Sequence, residues 1–475
     1  MTWQITPTAA DDKERSVTET GSYDIVILGG GSGGYACALR AAELGQRVVL
    51  IEKDKVGGTC LHRGCIPTKA LLHAAEIADH ARDAAAVGVR TTFEGIDMPA
   101  VNGYKDKVVE RLWKGLQGTL ASRKVEVVYG DGRLVSPTAV AVGDAVYEGA
   151  HVVLATGSEP RSLPGLPIEG ERVITSDQAL ALDRVPASAV ILGGGVIGVE
   201  FASVWRSFGA DVTIVEMLPH LLPPEEESSS KLLERAFRKR GIKFHLGVAF
   251  SEVKETAAGV SVVLENGTAI DAEVLLVAVG RGPVSAGLGY EEAGVAMDRG
   301  FVLVDEYWRT GVPTISAVGD LTPGLQLAHV GFAEGIAVAE RQARLPVTPI
   351  DYDGVPRVTY SDPEVASVGI TSATAAERGI ETVEVTYNLG GNGKSVILQT
   401  QGAAKVIATA GGGPVLGVHL VGARVGELIA EGQLIYNWEA LPAEVAQLIH
   451  PHPTQSEAIG EAHLALAGKP LHFHS

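Results

Sequence analysis

Cysteine is scarce in this 475-residue chain: Cys37, Cys60 and Cys65 are all there is. A secreted disulfide scaffold carries many more in a shorter chain, so that class is excluded. Basic residues are outnumbered, with 39 Lys and Arg against 57 Asp and Glu and a formal charge of −18. An acidic balance of this kind argues against a nucleic-acid partner or an anionic membrane surface. No run of about 20 apolar residues occurs, so no membrane-spanning helix is expected. The N-terminal stretch MTWQITPTAADDKERSVTETGS has no basic start followed by an apolar core, so it is not read as a signal peptide. It reads as a disordered arm over residues 1–21, and a cytoplasmic location is the default expectation. What is plentiful is glycine, 58 residues, which demands turns or backbone held close to ligands.

Many of those glycines fall into a repeated design. YDIVILGGGSGGYACALRAAELGQRVVLIEK begins with an apolar run, Ile25 to Leu28. It continues through a glycine turn and an Ala/Leu-rich helix, and ends in a second apolar run closing at Glu52. That is a βαβ unit with G-x-G-x-x-G at Gly29, Gly31 and Gly34. SAVILGGGVIGVEFASVWRSFGADVTIVEM repeats it with Gly193, Gly195, Gly198 and Glu216, and the glycine-to-acid offset is 23 residues in both copies (52 − 29 and 216 − 193). The first glycine allows a tight turn, the second lets backbone approach a pyrophosphate, and the third lets the helix pack on the strand. The acid accepts hydrogen bonds from an adenosine ribose. One such match is weak, but two complete copies predict two dinucleotides on one chain. Glu216 is followed by Met217 rather than an arginine, so a 2′-phosphate would be repelled and NAD is expected over NADP.

The cysteines Cys60 and Cys65 follow directly after the first loop and its acid, in GGTCLHRGCIPTKALLHAAEIAD. Five residues of regular helix separate Cα atoms by about 8–9 Å, whereas a disulfide needs roughly 4.4–6.8 Å. The segment between them is therefore expected to be irregular, with Gly64 permitting the break. The helix is expected to begin at Ile66–Pro67, placing Cys65 at its N-terminus, where the dipole favours thiolate. Two buried structural cysteines are the plainer alternative. A zinc site is a further one, but it lacks a second ligand pair and no metal is expected. Cys37, inside the first helix, reads as core. Lys69 follows Cys65 by one helical turn, and Glu200 is a candidate partner for it. Near the C-terminus, IHPHPTQSE offers the base that thiol exchange requires, His452 oriented by Glu457, with His450 as the nearest rival. The remaining tail histidines, His463, His472 and His474, read as surface residues.

Taken together, GGTCLHRGCIPTKALL, ATGS, GGGVIGVEF, VGRGP, AVGDLTPGLQLAHVGFAEG and HPHPTQSE resemble the pyridine nucleotide–disulfide reductases, and among them the dihydrolipoyl dehydrogenases, from about Tyr23 to Leu471. The resemblance implies an α/β fold with two Rossmann-like dinucleotide-binding domains, for FAD and NAD, and a C-terminal α+β dimerisation domain. The expected boundaries are 22–155 for the FAD domain, 156–280 for the NAD domain, 281–350 for a central domain completing the FAD site, and 351–475 for the interface domain. FAD would lie on the first loop with Glu52 on its ribose, and Lys69, Gly132, Asp320 and Ala328 would contact the flavin. Lys53, Gly58, Thr59, Thr156, Gly157, Ser158 and Glu200 join the expected cofactor contacts. NAD would lie on the second loop with Glu216, beside Gly280 and Arg281. Cys60 would exchange with substrate and Cys65 would face the flavin. His452, paired with Glu457, would serve the site of the other subunit of a homodimer. Dihydrolipoamide would be the substrate, carried by lipoyl-bearing E2 components or an H-protein.

The chain departs from the family pattern in places: CLHRGCIPTK where members often read CLNVGCIPSK, VGRGPV for VGR-x-PN, and HPHPT for HAHPT. None removes a redox group, and Arg63 bears on substrate access. Glutathione reductases carry arginines where this chain has Glu216–Met217, and mercuric reductases end in a cysteine pair where this chain ends HFHS. A non-catalytic flavoprotein scaffold or sensor is the alternative from another class.

Overall fold

A computed structural model describes residues 18–473. The expected arm over 1–21 lies outside the described residues as far as residue 17; from Thr18 onward the chain is already in the first strand, Thr18–Leu28. Two compact units are formed. The first runs through Gly58 and adds Gly115–Gly157 and Pro283–Pro349; the second holds Thr59–Lys114, Ser158–Gly282 and the chain from Ile350.

The first unit is built on a seven-stranded sheet. Glu126–Tyr129, Val48–Glu52, Thr18–Leu28 and Ala145–Leu154 lie side by side in parallel. The far edge of Ala145–Leu154 is shared. Its first half pairs antiparallel with Ala139–Val142, which in turn pairs with Gly132–Ser136. Its last three residues pair parallel with Ile315–Ala317. The central strands are apolar without alternation, as expected for strands covered on both faces, and Ile25, Val26 and Ile27 are fully buried. The helices Ser32–Glu43 and Ala328–Gln342 cross at glycines: a Cβ on Gly335 would overlap the Gly33 carbonyl oxygen.

The second unit contains a five-stranded parallel sheet in the order Lys243–Leu246, Asp211–Glu216, Ser188–Leu192, Val274–Val277, Val173–Ile174. An antiparallel meander follows, Phe250–Thr256, Gly259–Leu264 and Ala269–Ala272. The C-terminal part is an antiparallel sheet of five strands, ordered Arg357–Thr359, Glu364–Gly369, Val415–Gly422, Ala403–Thr409, Thr382–Asn388. Helices Val425–Asn437 and Glu457–Leu466 bury Ile429, Ile459 and Ala462 in the same core as Val406, Val418 and Leu420 of that sheet. This is the α+β module expected from residue 351.

One segment departs from the expected boundaries. Residues 59–114, assigned by sequence to the FAD domain, fold with the second unit. The reason is the apolar stripe of helix Cys65–Asp83. Leu71, Ala75 and Ala78 are spaced to share one face and are buried. Leu71 and Ala75 enter one core with Val199, Phe201, Val204 and Trp205 of helix Val196–Phe208. Among the described residues, no helix is long and apolar enough to cross a membrane.

Candidate active site

The two glycine loops have the same geometry. Gly29 and Gly193 both take φ +106°, a left-handed conformation that a side chain would strain. A Cβ there would also overlap the carbonyl oxygens of Ala155 and Ala278, and one on Gly34 or Gly198 would overlap the carbonyl oxygen of Gly29 or Gly193. The middle glycines, Gly31 and Gly195, face open space. They cap helices Ser32–Glu43 and Val196–Phe208, neither of which has an acid in its first turn, so each helix presents an uncompensated positive end. Glu52 accepts from the N–H of Gly30 at 2.7 Å and of Asp54 at 2.9 Å; Glu216 accepts from Gly194 at 2.7 Å and Leu218 at 2.8 Å. Each carboxylate oxygen keeps a second lone pair for a ribose hydroxyl. Gly58, at φ +57°, rests on Gly31: a Cβ there would lie 2.6 Å from the Gly31 Cα. Both loops therefore fit a dinucleotide, with clear space and N–H groups where the phosphates belong.

Cys60 and Cys65 lie in two helices rather than in an irregular stretch. Gly58–Arg63 is a short helix, Gly64 (φ −146°, ψ −112°) breaks it, and Cys65–Asp83 begins at Cys65 itself, not at Ile66–Pro67. One residue outside helical geometry brings the side chains together. Both cysteines are free thiols here, and the hydrogen bond between them lowers Cys65 to about 7, with the Lys69 ammonium acting in the same direction against burial. Cys60 moves up through the same hydrogen bond and through burial. Cys65 is thus the thiolate of the pair.

Lys69 Nζ donates to both oxygens of Glu200 at 2.9 Å. Burial opposes the charge on Lys69, but the Glu200 carboxylate outweighs it and holds the ammonium above its ordinary range. Glu200 also accepts from the backbone N–H of Tyr360 at 2.9 Å, and the Tyr360 ring centroid lies 4.8 Å from Lys69 Nζ. Arg281 ties together two other predicted contacts, donating to Ser158 Oγ at 2.8 Å, to the Ser158 carbonyl at 2.7 Å and to Thr59 Oγ1 at 3.3 Å.

In the C-terminal module, His452 Nδ1 is 2.8 Å from Glu457 Oε1, and its side chain is 79% exposed. Glu457 also accepts from the N–H of Thr454 at 2.8 Å. The rival, His450, is engaged elsewhere: its Nε2 is 2.7 Å from Glu431 Oε1 and its side chain is only 11% exposed.

Residues 23–335 match the pyridine nucleotide-disulphide oxidoreductase family, and residues 355–463 match that family's dimerisation domain. The chain belongs to the pyridine nucleotide-disulphide oxidoreductases. It is 40% identical to the dihydrolipoyl dehydrogenase of Bacillus subtilis, over 95% of this chain and 99% of that protein. The mitochondrial dihydrolipoyl dehydrogenase of Pisum sativum is 39% identical over 95% and 92% of the two chains. Among solved structures, LpdA of Mycobacterium tuberculosis superposes with a TM-score of 0.87 at 28% identity, covering 95% of this chain and all of that one. Like other enzymes of this family close to it, this oxidoreductase uses FAD and NAD. The C-terminal sheet with its helices is the dimer-forming part.

Several other predicted positions make contacts within the protein. Gly132 is a packing glycine, since a Cβ would press Leu28 Cδ1 at 2.5 Å and Ile51 Cγ2 at 2.9 Å in the sheet core. The hydroxyl of Thr156 donates to the Val284 carbonyl at 2.6 Å and lies 3.0 Å from Tyr290 Oη. Lys53 is exposed. Gly157 (φ +71°) and Gly280 (φ +108°) face open space. Asp320 sits in the turn Gly319–Leu321, held by buried Glu334, which accepts from the Gly319 N–H at 2.6 Å. Ala328 opens the helix Ala328–Gln342, which has no side-chain cap. His463, read as a surface residue, is fully buried and bonds the Ile459 carbonyl through Nδ1 at 2.7 Å. His472 reaches Glu461 at 2.8 Å, and His474 lies outside the described residues. Sequence reasoning does not find Tyr360 or Glu334, because each bond has a backbone N–H as donor, that of Tyr360 itself to Glu200 and that of Gly319 to Glu334.

Proposed function

We propose that the chain oxidises dihydrolipoamide with NAD⁺, using a Cys60–Cys65 disulfide that the two free thiols represent in reduced form. The observation carrying this reading is the placement of the pair: Cys60 lies on the short helix before the Gly64 break, and Cys65 opens helix Cys65–Asp83 one turn before Lys69, which Glu200 holds. In the oxidised enzyme, His452 Nε2 takes the proton of one dihydrolipoyl thiol, at the site of the other copy in the homodimer. The resulting thiolate attacks the Cys60 sulfur, and Cys65 leaves as thiolate. The second dihydrolipoyl sulfur then displaces Cys60 from the mixed disulfide, releasing lipoamide and the dithiol. Glu457 keeps the His452 proton on Nδ1 so that Nε2 is the acceptor. Lys69, held charged by Glu200, favours the Cys65 thiolate. The first loop and Glu52 would hold FAD, and the second loop and Glu216 would hold NAD⁺; when bound, the flavin would supply the acceptor for the dithiol's electron pair and the hydride for NAD⁺. The Asp320 turn and the start of the Ala328 helix belong to the flavin site in this reading.

Lipoyl domains of E2 components or an H-protein would be the physiological partners, and a cytoplasmic setting is part of the same proposal. The test is steady-state NADH formation from dihydrolipoamide, with glutathione and NADP⁺ as controls. Turnover with dihydrolipoamide and NAD⁺ alone is expected; turnover of glutathione disulfide with NADPH in its place would overturn the substrate assignment. His452→Gln should slow the dihydrolipoamide reaction by about 10²–10⁴-fold, the usual worth of a positioned base.

A further inference from the structure

The C-terminal module holds a second histidine–carboxylate pair, two residues before the first. His450 Nε2 meets Glu431 Oε1 at 2.7 Å, and the other side of the ring lies on helix Glu457–Leu466, where a Cβ at Gly460 would come within 2.6 Å of His450 Nδ1. Only a glycine lets the ring lie there. Glu457, the acid that orients His452, is on that same helix, three residues before Gly460.

We propose that His450 is a positioning residue for the base: gripped by Glu431 and seated on Gly460, it anchors the loop carrying His452 and sets the electrostatic environment of Glu457. This rests on the reading of His452 as proton acceptor. The bond to Glu431 raises His450 above its ordinary range despite burial, and Glu457 adds to the effect. Glu457 in turn is held low: burial opposes this, but the Thr454 N–H, His452 and the charge of His450 outweigh it. Other ionisable groups face the same helix: Glu461 lies one turn beyond Glu457 and meets His472 Nδ1 at 2.8 Å, and Tyr387 on strand Thr382–Asn388 feels both carboxylates. His463, on the same helix, is buried, bonded to the Ile459 carbonyl and shifted toward neutrality by burial. Glu444, on the short helix Pro442–Val445, is turned to the Leu441 N–H at 2.9 Å. Beside His452, the cation acting on Glu457 is therefore His450, held by Glu431.

The two members of the pair predict different outcomes. His450→Gln removes a cation and leaves Glu431 negative, so the base should hold its proton more tightly, and the acid limb of kcat/KM for dihydrolipoamide should move up by about half a pH unit. Glu431→Gln removes an anion and, with it, the support for the charge on His450; the two losses offset, so the limb should not rise. NADH–ferricyanide turnover, which needs no thiol base, should stay within about twofold of wild type in both variants. A rise in His450→Gln without one in Glu431→Gln supports the proposal. A limb that stays put in His450→Gln, or rises in both variants, overturns it, because loosened packing alone does not distinguish the two. Should His450→Gln fail to fold, a rise in Glu431→Gln overturns it equally. His452→Gln is the control for the underlying reading: if that variant still oxidises dihydrolipoamide at the wild-type rate, the base assignment fails and the positioning role with it. Loss of activity there with unmoved limbs in the other two removes the positioning role alone.

Discussion

Replacing Lys69 with methionine separates the charge of this side chain from its length. In the wild type, Nζ lies 2.9 Å from both oxygens of Glu200, whose side chain is 3% exposed while that of Lys69 is 32% exposed. Removing one member of a fully buried pair costs about 3–5 kcal/mol, because the other charge is stranded. Here water reaches the lysine end, and Glu200 keeps the Tyr360 N–H, so the loss should be nearer about 2 kcal/mol. The second effect is on Cys65. Its folded position near 7 depends on the Cys60 hydrogen bond first and on the Lys69 charge after it, with burial opposing both. Without the cation, the thiolate loses a favourable partner and its midpoint should rise by about one unit. Near the wild-type midpoint, alkylation should then slow about fivefold. The assay is iodoacetamide modification of the dithiothreitol-reduced enzyme between pH 5 and 10 (ordinary conditions for a thiol titration), with the modified cysteine identified by peptide mass. A midpoint in Lys69→Met that stays at the wild-type value or moves lower would refute the assignment of Lys69 as the cation that sustains this thiolate.

The two loops should fail independently. Gly34→Ala drives a Cβ into the Gly29 carbonyl and should yield colourless protein, read from the flavin absorbance; Gly198→Ala does the same at Gly193 and should keep the colour while raising the KM for NAD⁺ at least about tenfold. Glu216→Ala combined with Met217→Arg removes the carboxylate and, at an exposed position, adds a cation; the ratio of NADPH to NADH use should rise, and an unchanged ratio would mean the ribose is read elsewhere. Cys65→Ser should retain flavin yet lose dihydrolipoamide turnover, and retained turnover would exclude its role.

The parts of the site legible in the sequence are those whose constraints are local. Each loop glycine answers a steric demand within a few residues of itself, so the repeated spacing foretells two loops, and both copies fold with first glycines at φ +106°. The cysteine spacing correctly excludes one continuous helix, but local sequence does not say how much helix survives; the break is Gly64 alone. Long-range constraints were not legible. Tyr360 reaches Glu200 through a backbone N–H across 160 residues, and no side-chain identity signals that. His463 lies in an unbroken buried run, Ala458 to His463, so no periodic stripe marks it, and its partner is a backbone carbonyl, that of Ile459. The assignment of residues 59–114 to the FAD domain followed chain order. That Leu71 and Ala75 are buried in one core with Phe201 and Trp205 has no local signal.

That last difference bears on how the redox helix can work. Helices Cys65–Asp83 and Val196–Phe208 share a seam of which Lys69–Glu200 is one end. At the other end, Ser207 donates to Asp79 at 2.6 Å, and Arg240 donates to Ser207 Oγ at 2.7 Å and Ser203 Oγ at 2.8 Å. Glu200, Ser203 and Ser207 follow helical spacing, so one face of the second helix supplies every one of these contacts. Between the polar ends the seam is apolar, with Leu71 and Ala75 buried. A helix clamped in this way cannot slide or rotate by a residue without breaking an ion pair, a hydrogen-bond network and an apolar contact at once. The position of Cys65 is therefore fixed by helix Val196–Phe208 and Arg240 rather than by the short helix before it. Loosening the far end, for example with Arg240→Ala, should shift the Cys65 alkylation midpoint only if it also displaces Lys69 from Glu200. A variant that loses thermal stability while keeping the wild-type midpoint would show that the ion pair holds its register without the network.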